Sequence, residues 1–132
     1  MVNLSQTTIT AISVNEDYQS IFTEVQHQLT SRGELWITEQ QEALNFRHRK
    51  SPVGYQSDWH VAGDPTLIII CNGVIEIELR DGTAKQFSAG ECFVAEDYLP
   101  SNINFDSTDH GHRARVIGDK DFSAIHIKLS KR

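Results

Sequence analysis

The chain has 132 residues, the length of a single domain with enough residues to bury a hydrophobic core. Its formal net charge of -6 comes from 12 basic and 18 acidic residues, which argues against a nucleic-acid partner, because such partners bind clustered Lys and Arg. The longest apolar run, 67–71, is far shorter than a membrane span, and the first residues lack the pattern of a secretory signal. We therefore expect a cytoplasmic protein with neither a membrane nor a nucleic-acid partner.

Residues 1–43 are predicted to form an extension that packs on the main domain. Within it, 7–14 alternate loosely and are rich in Thr, Ile and Val, which predicts a short edge strand. Apolar residues then recur at three- and four-residue steps between Asn15, a candidate N-cap, and Gly33, a candidate C-terminal stop, which predicts a short helix. Because 21–29 also alternate at two-residue steps, a strand is the alternative for this segment.

From residue 34 onward the pattern is that of β-structure. Alternating or β-branched segments predict strands at 35–38, 44–49, 66–71, 74–79, 92–95, 113–117 and 123–129. Asn72-Gly73, Asp81-Gly82 and Ala89-Gly90 are turn signals between them. Many short strands joined by glycine turns are typical of an all-β sandwich or barrel.

The stretch that begins at Gly54 carries the most specific pattern in the chain. Gly54 is followed after five residues by His60, and Gly73 closes the stretch. This spacing resembles the first cupin motif, which reads Gly, five residues, His-x-His, three residues, Glu, six residues, Gly. Ala62 stands in place of the second His, and Thr66 stands in place of the Glu.

A second, weaker motif follows from Gly90. Gly90 fits its start, Glu96 stands where the cupin motif has Pro, and the motif's His is best matched by His112, displaced by an insertion. Together with the turn phrases, the two motifs resemble the cupin superfamily. The resemblance implies that 44–132 form an all-β cupin double-stranded β-helix, or jelly-roll barrel. The short helix and edge strand predicted above for 1–43 precede it.

The resemblance also implies a metal site with an incomplete set of ligands. Metal-binding cupins hold Fe, Mn, Ni, Cu or Zn with three imidazoles and a carboxylate, a donor set suited to divalent transition metals. Ala62 and Thr66 remove two of these donors. His110 and His112 form a His-x-His pair whose rings share one face of an extended strand, so His60, His110 and His112 are the predicted replacement set. The alternative is that His110 is exposed to solvent on the insertion.

Further residues are predicted to line the cavity of the barrel. The predicted ligand pocket consists of His48, Tyr55, Trp59, His60, Thr66 and His112. Glu96 and Asp97 follow a buried strand near the predicted barrel mouth, and they are candidates for a catalytic acid or base. The alternative is that one caps a turn and the other faces water. His126 shares a face with Lys128, so we expect it to point away from the core.

These observations predict a small-molecule-binding cupin with a degenerate or absent metal site. One alternative is a metal-dependent cupin enzyme, of the oxygenase or isomerase type, that uses the shifted histidine set. Another is a homodimeric interaction or regulatory module that pairs through edge strands. The sequence leaves open whether the protein is an enzyme, and it identifies neither the ligand nor a cofactor.

Overall fold

The computed structural model describes residues 3–131, and within that range the chain consists of strands, turns and loops without any helix. The strands are β1 (Gln6–Val14), β2 (Ser20–Gln28), β3 (Thr30–Arg32), β4 (Leu35–Ile37), β5 (Ala43–Ser51), β6 (Thr66–Asn72), β7 (Val74–Glu78), β8 (Ala84–Ser88), β9 (Cys92–Ala95), β10 (Arg113–Ile117) and β11 (Phe122–Leu129). The predicted all-β class is thereby confirmed. Strands β3 and β8 are additions to those predicted from the sequence.

Two sheets enclose the core, an arrangement consistent with a jelly roll. The larger sheet has six strands in the order β2-β1-β9-β6-β11-β5, and the smaller has the order β10-β7-β8. Their inner faces supply one hydrophobic cluster, formed by Ile12, Ile68, Ile70, Ile75, Ile77, Leu79, Phe87, Phe93, Ala95, Val116, Phe122 and Ala124. Because this cluster draws on both sheets, neither sheet buries its inner face alone.

The predicted N-terminal helix is wrong, because this segment forms strand β2. Strand β2 pairs antiparallel with β1 along its whole length, from Gln6 opposite Gln28 to Val14 opposite Ser20, so its backbone groups find partners in the neighbouring strand. Asn15, the predicted N-cap, instead anchors the turn between these strands, where its Oδ1 accepts hydrogen bonds from two backbone N–H groups. The two-residue alternation therefore described this segment better than the helical spacing.

Strand β1 was predicted at an edge, and this position is also wrong. It lies inside the six-stranded sheet, with β2 on one side and β9, in parallel, on the other. Ala11 and Ile12 on this strand have no exposed surface, and Ile12 belongs to the core cluster. The predicted extension 1–43 therefore shares a sheet and a core with the predicted barrel 44–132. Residues 1–2 and 132, the outer ends of these two segments, lie outside the described residues.

The connections between strands place the histidines of interest. The chain from β5 to β6 is an irregular segment that carries His60, the chain from β9 to β10 is an irregular segment that carries His110 and His112, and an isolated bridge joins His60 to His112. No helix formed by the described residues is long and apolar enough to cross a membrane.

Candidate functional site

His60 and His112 meet at the mouth of the barrel. They form an isolated antiparallel bridge in which each backbone N–H donates to the other residue's carbonyl oxygen at 2.9 Å. Their ring centroids are 4.5 Å apart. Gly111 permits this approach: its φ is +92°, and a Cβ on it would lie 2.7 Å from the carbonyl oxygen of His60. The two histidines matched to the cupin motifs are thus adjacent in space.

A fully buried carboxylate orients the ring of His112. Oδ2 of Asp97 lies 2.6 Å from Nδ1 of His112 and accepts a hydrogen bond from Oγ of Ser20, also at 2.6 Å, while its Oδ1 accepts from the backbone N–H of Ala62 at 3.0 Å. Burial by itself would raise the pKa of Asp97, but these three donors, His112 first, hold that pKa below its usual value. Asp97 is therefore ionised, and Nδ1 of His112 donates to it. Nε2 is the ring nitrogen of His112 left to face the cavity.

His60 presents its own Nε2 in a similar way. Its Nδ1 lies 2.8 Å from the carbonyl oxygen of Asp58, which can only accept a hydrogen bond, so the ring proton sits on Nδ1. The side chain is exposed at the cavity mouth, yet enough atoms surround the ring that burial is the main cause lowering its pKa. The hydrogen bond to Asp58 opposes this shift, and the nearby charges of His112 and Arg49 reinforce it. At neutral pH, Nε2 of His60 is a hydrogen-bond acceptor.

A cavity of about 260 Å³ opens beside the two rings. One wall is formed by β5 and β11, and the opposite wall by the segment that carries His60 and Ala62. A smaller chamber of about 90 Å³, named here the inner chamber, shares His60 and His112 with this cavity. Its lining includes the core residues Ile75, Ile77, Phe93 and Phe122. The cavity is therefore polar at its mouth and apolar at its inner end.

Comparisons with known proteins find similar solved structures. No protein-family model matches the chain, and no curated protein matches it. Solved structures that resemble it include a cupin domain from Bordetella pertussis (14% identity, 70% of this chain, 88% of that chain, TM-score 0.47). A second is a cupin superfamily protein from Desulfitobacterium hafniense (14% identity, 77% of this chain, 84% of that chain, TM-score 0.47). A third is the Schizosaccharomyces pombe Cnp3 cupin domain (11% identity, 96% of this chain, 85% of that chain, TM-score 0.48). The chain is similar to small cupins. These similar structures are cupin-domain proteins, the family that the two motifs resemble, and at these identities the similarity says nothing about a ligand.

Several predicted pocket residues line the cavity or its inner chamber. His60, Thr66 and His112 line the main cavity, and Tyr55 lines the inner chamber. The hydroxyl of Thr66 donates to the carbonyl oxygen of Asp64 at 3.0 Å. Thr66 therefore contributes a satisfied polar group to the wall and does not replace the missing carboxylate ligand.

Two other predicted pocket residues lie elsewhere. His48 is on the outer face of β5, with its ring centroid 6.2 Å from that of Phe46. Trp59 has the guanidinium groups of Arg80 and Arg113 at 4.0 and 4.8 Å from its ring centroid, so cations rather than a cavity occupy its surroundings. Neither residue lines the cavity described above.

The predicted metal set does not assemble. His110 is buried, but its Nδ1 accepts a hydrogen bond from the backbone N–H of Asp106 at 2.9 Å, and its ring lies near Phe105 instead of in the cavity. Among the described residues, no group of three or more His, Cys, Asp and Glu side chains is placed to hold a metal ion. His60 and His112 alone do not fit the donor set of a metal-binding cupin.

The two acidic candidates point to opposite sides of the sheet. Glu96 lines a separate cavity on the outer face, together with Tyr98, and its carboxylate accepts a long hydrogen bond from Ser13 at 3.3 Å. Asp97 lies behind His112 and has no exposed surface. Asp97 can therefore position His112, but it cannot itself contact a ligand in the cavity.

Sequence analysis did not predict four ionisable residues of the cavity wall: Arg47, Arg49, His126 and Lys128. For the two arginines, the sequence pattern that could have found them is the alternation of β5. Residues 45, 47 and 49 share one face of this strand, and Phe46 and His48 share the other. Periodicity alone could not say which face was the inner one, and the apolar residues suggested the opposite choice. The expectation that His126 points away from the interior is corrected by its place on the cavity wall.

Proposed function

We propose that the protein binds a small organic molecule in the cavity beside His60 and His112, without a resident metal. The observation that carries the proposal is the buried Asp97 behind His112. A buried carboxylate is costly unless hydrogen bonds compensate it, and here three donors do so. This arrangement fixes the orientation of the His112 ring and leaves its Nε2 available to a ligand in the cavity.

The size and polarity of the cavity support the same proposal. Its main part of about 260 Å³ and inner chamber of about 90 Å³ suit a compact metabolite rather than a large cofactor. A polar mouth with an apolar inner end is also the common composition of small-molecule sites.

Histidine side-chain NMR tests the proposal with internal controls. We expect a mixture of metabolite-sized compounds to contain a binder that shifts the imidazole signals of His60, His112 and His126. His27 and His48, which lie outside the cavity, should not respond. Compounds that shift His27 or His48 while the three cavity signals stay unchanged would contradict the proposed site.

A metal-dependent enzyme of the oxygenase or isomerase type is a second candidate. It is favoured by one observation, that Nδ1 of both His60 and His112 bonds to an oxygen acceptor, as in histidines that ligate metals. Elemental analysis after anaerobic purification separates the two candidates. Stoichiometric transition metal that is lost in His60→Ala would favour the enzyme and overturn the metal-free proposal; we expect substoichiometric metal in both proteins.

We further propose that the protein is a homodimer. Hairpin β3–β4 pairs with no other strand of the described residues, and a lone two-stranded hairpin is marginal in water. It nevertheless exposes Leu35, Trp36 and Ile37, and Leu44 and Phe46 of β5 are exposed as well. We propose that a second copy covers these five side chains, named here the apolar surface, with its own identical set, as in the commonest class of soluble oligomers.

Analytical ultracentrifugation at micromolar concentration tests this proposal. We expect a dimer that dissociates in the double variant Leu35→Glu/Phe46→Glu, because each charge would have to be buried at the interface. Leu4→Glu is the control, since Leu4 is comparably exposed but belongs to neither the hairpin β3–β4 nor β5. A wild-type monomer, or a dimer unaffected by the double variant, would contradict the assignment.

A further inference from the structure

The cavity wall formed by β5 and β11 is cationic. Arg47 is the register partner of His126, and Asn45 is the partner of Lys128. Directly opposed residues of an antiparallel pair lie on the same face of the sheet. His126 is in turn opposite Ile68, a core residue, so this face is the inner one. Arg47 and Lys128 thus extend the inner face into the cavity, as does Arg49, two residues along β5.

Little negative charge compensates this wall. Lys128 forms an ion pair with Asp64, at 4.0 Å. Among residues 3–131, Arg47 and Arg49 form no ion pair. None of the described residues that line the cavity is acidic. In a protein with a formal net charge of -6, three cations therefore face one small cavity, and the nearby negative charges are Asp64, at 4.0 Å from Lys128, and Asp97, which is buried behind His112 and paired with it.

The field of these cations reaches the cavity histidines. Burial first, and then the charges of Arg49 and Arg47, lower the pKa of His126 to about 4. Arg49 also contributes to the lowered pKa of His60. Both histidines are therefore neutral at neutral pH, and the excess positive charge of the wall resides on the two guanidinium groups and Lys128.

The histidines of the cavity are suited to a different ligand group, a hydrogen-bond donor. Nε2 of His60 and Nε2 of His112 are acceptors when the rings are neutral, so they would pair with a hydrogen-bond donor. Beyond them lies the inner chamber lined by Ile75, Ile77 and Phe93. A ligand that uses the whole cavity needs an anionic group, a donor and a short apolar body.

We infer that the cavity binds a small hydroxycarboxylic acid, with its carboxylate on Arg47, Arg49 and Lys128, an inference that rests on the small-molecule binding proposed above. The carboxylate matches the planar donor fork of a guanidinium, which pairs with it through two parallel hydrogen bonds. The hydroxyl donates to an imidazole Nε2, and the apolar body enters the inner chamber.

Four probes of similar size test the inference by NMR titration of the cavity histidines. They are 2-hydroxyisovalerate, isovalerate, isovaleramide and inorganic phosphate. We expect 2-hydroxyisovalerate to bind most tightly, and isovalerate at least about tenfold more tightly than the isosteric neutral amide, since a charge-assisted pair contributes about 1.5–3 kcal/mol. Added NaCl should weaken the two carboxylates and leave the amide unchanged.

Variants on β5 supply the matched control. Arg47→Gln and Arg49→Gln should each weaken carboxylate binding about tenfold and amide binding by clearly less, because the amide loses no charge-assisted pair. Lys50→Gln removes the same charge from the same strand on the outer face, and it should leave carboxylate affinity within about twofold. All three positions are exposed, so the variants are expected to fold normally.

The outcomes separate this inference from the proposed function. Equal binding of the amide and the carboxylates at the cavity histidines would overturn the anionic ligand and leave small-molecule binding intact. Tighter binding of phosphate than of any carboxylate would overturn the organic acid. Probes that shift no cavity histidine would count against both the inference and the proposed function.

Discussion

At the scale of single residues, the site depends on Asp97, whose environment is determined by three different parts of the chain. Ser20 belongs to β2, Ala62 lies in the segment between β5 and β6, and His112 directly precedes β10. The carboxylate therefore couples the orientation of His112 to the packing of β1 and β2, which together form the N-terminal hairpin.

We predict that Asp97→Ala lowers the free energy of unfolding by about 3 kcal/mol, because it leaves three buried donors without an acceptor. Glu96→Ala is the matched control and should cost no more than about 0.5 kcal/mol, since Glu96 makes a single long hydrogen bond. Urea unfolding at neutral pH measures both values. Equal losses in the two variants would contradict the role assigned to Asp97.

We also predict an acid-sensitive stability that traces to His126. Its folded pKa of about 4 lies below the ordinary value of 6.5, so the unfolded chain binds this proton first as pH falls. The contribution of His126 is therefore fully present above pH 6.5 and is lost between pH 6.5 and 4. Discounted for partial solvent screening, the loss amounts to about 1 kcal/mol.

Urea unfolding at pH 7 and pH 5, with His126→Gln as the comparison, checks this prediction. The variant should lose less stability on acidification than the wild-type protein. The same loss in both proteins would show that another group is responsible.

At the scale of elements, the mouth of the barrel is held by a contact between two loops. Gly111 brings the chain before β10 so close to His60 that a side chain at this position would overlap the backbone. The sequence predicted that His60 and His112 belong together only through the family resemblance. It did not predict that the connection after β9 would turn His110 away, because that turn depends on a hydrogen bond from the backbone of Asp106.

We predict that Gly111→Ala costs more than about 2 kcal/mol in the free energy of unfolding and shifts the NMR signals of His60 and His112. Gly118→Ala is the control: Gly118 also has a positive φ, of 82°, but nothing lies within 4 Å of its Cβ position. Backbone strain alone should cost it about 1 kcal/mol. A similar cost in both variants would mean that strain, not the clash with His60, limits the site.

At the scale of the whole molecule, the N-terminal hairpin completes the core. Ile12 from β1 packs in the central cluster, and β1 covers the otherwise open edge of β9. Segments far apart in sequence must therefore meet before either sheet is complete, which favours slow folding through non-local contacts.

We predict that a fragment of residues 44–132 does not fold alone, because it lacks Ile12 and leaves β9 as a bare edge. Its amide NMR spectrum should show poor dispersion, and addition of a peptide of residues 3–29 should restore dispersed signals. A well-dispersed spectrum of the fragment without the peptide would show that the barrel is independent of the N-terminal hairpin.

The sequence by itself determined the all-β class and most of the strands, because alternation, β-branched runs and glycine turns are local signals. It also singled out His60 and His112. Only the tertiary structure decided the state of 20–28, where a full-length pairing with β1 outweighed an apolar spacing that suited a helix.

Tertiary structure likewise decided which face of β5 is the inner one. That choice depends on the register with β11 and not on local hydrophobicity, so Arg47 and Arg49 line the cavity while Phe46 lies outside. The local sequence shows that residues of a strand alternate between two faces, but the packing of the neighbouring strands decides which of the two faces is buried.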